Sequence, residues 1–193
     1  MRVISGQNKG RRLKSANIQG LRPTSDRVKE ALFNMLSPFL NEEVVVADLF
    51  AGTGNVGIEF LSRGVKEVVF VEKNERCVQL IKENLKDLGL SERAKVFKTD
   101  VLKFLRSRHC PVFDIIFLDP PYKSTYAAEC IEEILKNNKI SQNGFIVVES
   151  NLNFNFENSN ITIFRQREYG DTKITIFSFG GRQFEDRSIS REF

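Results

Sequence analysis

Cysteine and histidine are scarce in this chain of 193 residues, which has three of the first and one of the second. Cys77, Cys110 and Cys130 are odd in number and widely spaced, with no Cys-x-x-Cys among them. That excludes a disulfide framework and a cysteine-rich zinc site, and it points to ordinary thiols in a reducing cytosol. No metal site is expected. His109 stands beside Cys110-Pro111, the position of a loop residue rather than of a catalytic base. No apolar signal core follows the basic residues at the N-terminus, and no run reaches the roughly 18 apolar residues of a membrane span. Internal repeats and low-complexity tracts are also lacking. These absences lead us to expect a soluble cytoplasmic protein that works away from the membrane.

The hydrophobic share is 41%, enough for a core, and the length suits one domain with a small appendage. Charge is unevenly spread. Residues 1–30 hold eight basic side chains (Arg2, Lys9, Arg11, Arg12, Lys14, Arg22, Arg27 and Lys29) against Asp26 and Glu30. That stretch is +6, so the overall +4 leaves −2 for the remainder. A basic end on a slightly acidic body suits an anionic partner such as a phosphate backbone.

Residues 1–15 read as a hairpin turning at Gly6-Gln7-Asn8-Lys9-Gly10, and residues 16–23 as a connector. A helix is expected from about Ser25 to Leu36, stopped by Pro38. Buried strands are expected at 44–49, 68–71, 94–98, 114–118 and 145–148, with helices at 55–63, from Asn74, near 101–107 and around 125–137. This alternation predicts an α/β fold with a mostly parallel sheet covered by helices on both faces. Two strands near 161–167 and 173–179 close it as an antiparallel hairpin, and a polar tail occupies 181–193. The expected division is thus 1–23 for the N-terminal extension, 24–180 for the main domain and 181–193 for the tail.

Gly52-Thr53-Gly54-Asn55-Val56-Gly57 matches G-x-G-x-x-G between a strand and a helix, a pattern many nucleotide-binding proteins share. Asp48, just ahead of the glycines, narrows the choice. A carboxylate there would repel a pyrophosphate, but it suits S-adenosylmethionine, which brings an α-ammonium and a sulfonium. Glu72 ends the second strand about twenty residues on, where an acid accepts ribose hydroxyls. Asp100 is read at the end of the third strand, in reach of an adenine amino group. All three acids fall at the strand ends where open α/β sheets bind ligands.

Asp119-Pro120-Pro121-Tyr122, after the fourth strand, is the most specific signal. The prolines stiffen the loop and leave its carbonyls free to accept. An exocyclic base amine is a poor nucleophile because its lone pair is delocalised into the ring. Acceptors such as the Asp119 carboxylate and the Pro120 carbonyl draw its hydrogens out of plane, and Tyr122 can stack on the base. Whether Asp119 takes the proton or only orients the amine is left open by the sequence.

These motifs resemble those of class I S-adenosylmethionine-dependent methyltransferases. More narrowly, the chain resembles the bacterial small-subunit (16S) ribosomal RNA guanine-N2 methyltransferase family, the RsmD-like proteins. The resemblance is carried by Leu21-Arg-Pro-Thr-Ser-Asp-Arg-Val-Lys-Glu-Ala-Leu-Phe-Asn34, the glycine loop, Val71-Glu-Lys-Asn74, Phe117-Leu-Asp-Pro-Pro-Tyr122, Val148-Glu-Ser150 and Tyr169-Gly-Asp-Thr172. It implies a Rossmann-like seven-stranded sheet. It also implies a cofactor site at Asp48, Phe50, Ala51, Gly52, Thr53, Gly54, Glu72, Lys73, Asp100 and Val101, and a catalytic loop of Asp119, Pro120, Pro121 and Tyr122. The implied partner is ribosomal RNA within the small subunit or its assembly intermediate, approached by a monomer. Arg11, Arg12, Arg22 and Arg27 are the candidate RNA contacts, with Arg22 and Thr24 equally able to close over the cofactor. The tail after Gly181 exceeds the family's usual length and has no assigned role. Two further readings stand beside this one: an adenine-N6 methyltransferase on DNA or RNA, and a non-catalytic RNA-binding assembly factor.

Overall fold

Local sequence chemistry sets the ends of the elements in the computed structural model, which describes residues 1–15, 25–121 and 125–180. The first helix, α1, runs Asp26–Leu36, and the Ser25 side chain accepts from the Val28 N–H at its start. Pro38 ends it in a single 3-10 turn over Ser37–Phe39. From there strands and helices alternate as β1 (Val45–Leu49), α2 (Asn55–Ser62), β2 (Glu67–Glu72), α3 (Glu75–Asp87), β3 (Ala94–Lys98), α4 (Val101–Leu105), β4 (Phe113–Leu118) and α5 (Tyr126–Lys136). Asn74 caps α3 by accepting from the N–H groups of Arg76 and Cys77, as its side chain is suited to do. The chain closes with β5 (Ile140–Asn151), β6 (Ile161–Tyr169) and β7 (Thr172–Phe179).

The seven strands form one sheet in the order β3-β2-β1-β4-β5-β7-β6. Neighbours from β3 through to β5 are parallel, and β7 runs antiparallel between β5 and β6. This is the expected Rossmann-like sheet with its closing hairpin. One apolar layer packs α1, α2, α3 and the N-terminal hairpin on one face. The other packs α4 and α5 on the opposite face. The order in which strands are added reverses between β1 and β4, which run parallel, so the crevice at their C-terminal ends is the topological switch point where such sheets bind ligands.

Residues 1–15 form the expected hairpin, pinned by an antiparallel bridge between Arg2 and Arg12. Val3 and Leu13 sink into the first apolar layer. The turn docks against the C-terminal ends of α2 and α3, with the Gln7 N–H on the Ser62 carbonyl at 2.8 Å and the Asn8 side chain on the Leu88 carbonyl at 3.1 Å. Tyr122, Arg22, Thr24 and the tail 181–193 lie outside the described residues.

Candidate active site

The end of β1 places the glycine loop beside the end of β4, because Leu49 pairs with Leu118 in register. The loop bends sharply. Phe50 adopts φ 63°, a strained value for a side-chain-bearing residue, and Gly54 adopts φ 76°, where glycine carries no Cβ penalty. The Gly54 N–H closes the turn on the Ala51 carbonyl at 2.7 Å, and the Ala51 N–H reaches the Val71 carbonyl at 3.1 Å. Ala51, Gly52, Thr53 and Gly54 are all buried.

Asp48 lies under this loop, only 2% exposed, and its Oδ2 accepts from the Gly57 N–H at 2.8 Å. Gly57 makes that approach possible. A Cβ there would stand 2.2 Å from the Phe70 ring and 2.7 Å from Asp48 Oδ2. Burial pushes the Asp48 carboxyl up to about 8; the Gly57 N–H opposes that shift and the charge of Glu72 adds to it. A cation beside it would favour the ionised form.

Glu72 ends β2 as expected. Its Oε2 accepts from the Gly52 N–H at 2.9 Å and its Oε1 from the Asn74 N–H at 2.7 Å. The carboxylate thereby holds the glycine loop and the start of α3 together. It retains acceptor capacity for hydroxyls, since a carboxylate offers about four lone-pair sites. Lys73 follows it on the surface. Asp100 differs from its sequence reading. Strand β3 stops at Lys98, and Asp100 is the cap of α4, accepting from the Lys103 N–H at 3.1 Å. Asp100 is still carried towards Glu72, because the Thr99 N–H donates to the Glu72 carbonyl at 3.1 Å. Val101, the first residue of α4, is buried.

Across the crevice Asp119 is half-buried, Pro120 buried and Pro121 exposed. The Phe50 ring meets the Tyr126 ring edge-on at 5.9 Å, bridging the glycine loop to the start of α5. Val148 pairs with Leu118, so Glu149 and Ser150 emerge on the strand adjoining Asp119. Ser150 in turn pairs with Lys173, which brings the Tyr169–Thr172 turn to the same edge. The motifs read at strand ends therefore converge on one crevice.

The basic end is less uniform than its count suggested. Arg12 and Arg27 are exposed. Arg11 is exposed and donates to the Asp87 carbonyl at 3.0 Å, at the C-terminal end of α3. Arg2 pairs with Asp26 at 3.7 Å, and Lys14 with Asp87 at 3.0 Å. Lys29 is withdrawn from the surface altogether and lies 3.5 Å from Glu59, both side chains being fully enclosed. Sequence reasoning missed that pair. A signal existed, because Lys29 shares the buried face of α1 with Val28, Leu32 and Phe33, and every residue of α2 is buried. Cys77, Cys110 and Cys130 are buried, and burial raises their thiols to about 11, 11 and 12, which keeps all three protonated and unreactive. His109 is an exposed loop residue, as expected.

Comparison with known proteins matches residues 1–178 to the family model described as Conserved hypothetical protein 95. The Bacillus subtilis protein YlbH is 37% identical over 185 residues, covering 94% of this chain and all of the relative. The ribosomal RNA small subunit methyltransferase D of Haemophilus influenzae is 41% identical over 152 residues, or 78% of each chain. Among solved structures, the Escherichia coli protein yhhF superposes with a TM-score of 0.84 at 28% identity, covering 94% of this chain and 99% of that one. At 15% identity and a TM-score of 0.65, an RNA methyltransferase of Salinibacter ruber, solved with S-adenosyl-L-homocysteine, shares the fold.

Proposed function

The chain belongs to the Conserved hypothetical protein 95 (RsmD-like) family, and from that premise we propose that it transfers a methyl group from S-adenosylmethionine to the N2 amine of a guanine in small-subunit ribosomal RNA. The observation that carries this reading is the register of β1 with β4, which sets the Asp48–Gly54 loop against Asp119-Pro120.

The residues fit the cofactor. Gly54 keeps the loop in its tight turn, because it adopts φ 76° and a Cβ there would press on Ile81 at 3.0 Å and Phe70 at 3.4 Å. Glu72 stands ready for ribose hydroxyls, Asp48 lies beneath the loop to balance positive charge, and Asp100 with Val101 borders the adenine side. Bound there, S-adenosylmethionine supplies an electrophilic methyl group on a sulfonium. The chain's own residues then do the positioning. The Asp119 carboxylate and Pro120 carbonyl accept from the exocyclic amine and restore its tetrahedral character. Tyr122 stacks on the base. Holding amine and methyl carbon in line supplies most of the acceleration, through orientation and fixed dipoles.

Such a base must be unpaired or flipped out of its stack. Arg11, Arg12, Arg22 and Arg27 contact flanking phosphates, which position the enzyme without selecting the base. The work is cytoplasmic and monomeric. Among the described residues no helix is long and apolar enough to cross a membrane.

The test is methyl transfer from radiolabelled S-adenosylmethionine to small subunits, and to naked ribosomal RNA, from cells lacking the protein. Label is expected in N2-methylguanosine. Label in N6-methyladenosine moves the reading to adenine, and cofactor binding without label in either base overturns it.

A further inference from the structure

One cation is buried at the junction of three segments that the function as proposed does not use. The Lys29 ammonium has no exposure. It donates to the Arg2 carbonyl of the hairpin at 2.8 Å and to Asn55 Oδ1 at 2.8 Å, and lies 3.5 Å from Glu59 Oε2. Its three hydrogens thus face three acceptors. Glu59 is equally engaged. It accepts from the Ile4 N–H at 2.8 Å, from the Ser5 N–H at 3.0 Å and from Arg63 Nε at 2.9 Å. Next to this cluster Thr53 Oγ1, in the glycine loop itself, contacts Met1 Sδ at 3.6 Å.

Asn55 is the residue that gives the cluster a functional bearing. It is the first residue of α2 and directly follows Gly54. Its side chain is held by a cation anchored to the hairpin and to α1, so the orientation of the first turn of α2 depends on both. Taking an ammonium and a carboxylate out of water is expensive, and well-packed apolar residues of the same volume often serve stability as well or better. A buried pair with every donor and acceptor matched instead imposes one register on the segments it joins.

We infer that Lys29 is a positioning residue for the cofactor loop, acting through Asn55, and that the N-terminal hairpin is by this route a built part of the cofactor site as well as a basic surface for RNA. The inference rests on the cofactor assigned above, but not on the identity of the methylated base.

The experiment titrates S-adenosylmethionine and S-adenosylhomocysteine calorimetrically into the full-length wild type and into Asn55→Ala, Lys29→Met and Lys29→Met/Glu59→Gln, at a temperature well below each melting point. Asn55→Ala is the discriminating variant because it severs the link to the loop and leaves the buried pair intact. The double variant covers the case in which a lone Glu59 prevents folding. Affinity for both ligands is expected to fall about tenfold in every folded variant, the scale of one lost charge-assisted hydrogen bond. KM for the cofactor should rise with it, kcat at saturation should stay within about threefold, and RNA affinity should hold. Cofactor affinity within twofold of wild type in folded Asn55→Ala and in the double variant overturns the inference and leaves Lys29 as a packing element of the hairpin. A wild type that binds neither ligand overturns the cofactor assignment itself, and this inference with it.

Discussion

Replacing Asp48 with asparagine should make the ligand-free protein more stable at neutral pH while weakening cofactor binding. Asp48 is 2% exposed, and burial raises its carboxyl from 3.8 to about 8. The folded chain therefore holds a proton that the unfolded chain has released. The folded-state value is the higher one, so the stability from this proton is fully present below about pH 4 and is lost as the pH rises towards 8. At pH 7 the penalty is about 1.36 kcal/mol for each of the roughly three pH units above 3.8, or about 4 kcal/mol. Asn carries no charge at any pH, and its carbonyl can still accept from the Gly57 N–H. Its amide hydrogens need acceptors, which costs about 1–3 kcal/mol if none is found. A net gain of roughly 1–3 kcal/mol remains, equivalent to about 2–12 °C in Tm for a domain of this size. Thermal and urea unfolding of both proteins from pH 4 to 8 measures it. The variant should be the less stable protein near pH 4, where the Asp48 penalty is gone and the amide cost remains, and the curves should cross as the pH rises towards 7. Calorimetry in two buffers of different ionisation enthalpy should show proton release on cofactor binding that is absent from the variant. A stability gap that does not change with pH, or a variant less stable at pH 7, would falsify the assignment of a buried, protonated Asp48.

Asp119→Ala should retain cofactor affinity and lose about 10²–10³ in kcat, the scale of one lost electrostatic contact to the reacting group; parallel loss of binding would place Asp119 in the cofactor site instead. Gly57→Ala should lower Tm and cofactor affinity together, because the new methyl would stand 2.2 Å from Phe70 and 2.7 Å from Asp48, and an unchanged melting curve would contradict that packing. Neutralising Arg11 and Arg12 should weaken RNA binding and reduce the slope of log affinity against log salt by roughly two counterion equivalents. If affinity and slope stay put, the hairpin is not the RNA surface.

Much of the fold was legible because its signals are local. Ser25, Asn74 and Gly64 mark helix ends through their own side chains or backbone freedom, and α1, α2 and α3 fall within a residue or two of where periodicity places them. Strand β5 shows the limit. Its apolar run suggested 145–148, yet it extends from Ile140 to Asn151. The added stretch includes polar Ser141-Gln142-Asn143, and Asn143 adopts φ 66°. Ladder pairing of Ile140 with Phe113 carries the strand through that irregularity, and a partner 27 residues away is invisible to any local window. Asp100 failed in the opposite sense. An acid just after a strand was read as its end, but the same side chain is a good helix cap, and the helix claimed it.

The site motifs were readable for the same reason as the helix caps: each is a short run at one strand end, and the parallel sheet gathers those ends without further instruction. The charges around the loop were not. Lys29, Glu59 and Asp48 come from separate elements; Lys29 and Glu59 each alone read as surface groups, and Asp48 is legible as a site acid from its place ahead of the glycines while its burial is not. Their burial appears only when the hairpin, α1 and α2 pack on one face. Three ionisable side chains with almost no exposure, and a strained φ at Phe50, crowd a single turn of chain. A fold seeking stability alone would place none of them there. Glu149 and Lys173 are also buried, on β5 and β7, but the gathering of three such groups around the glycine loop is what a site held rigid at the expense of stability requires. It also means that the variants most stabilising to this chain should be those that bind its cofactor least well.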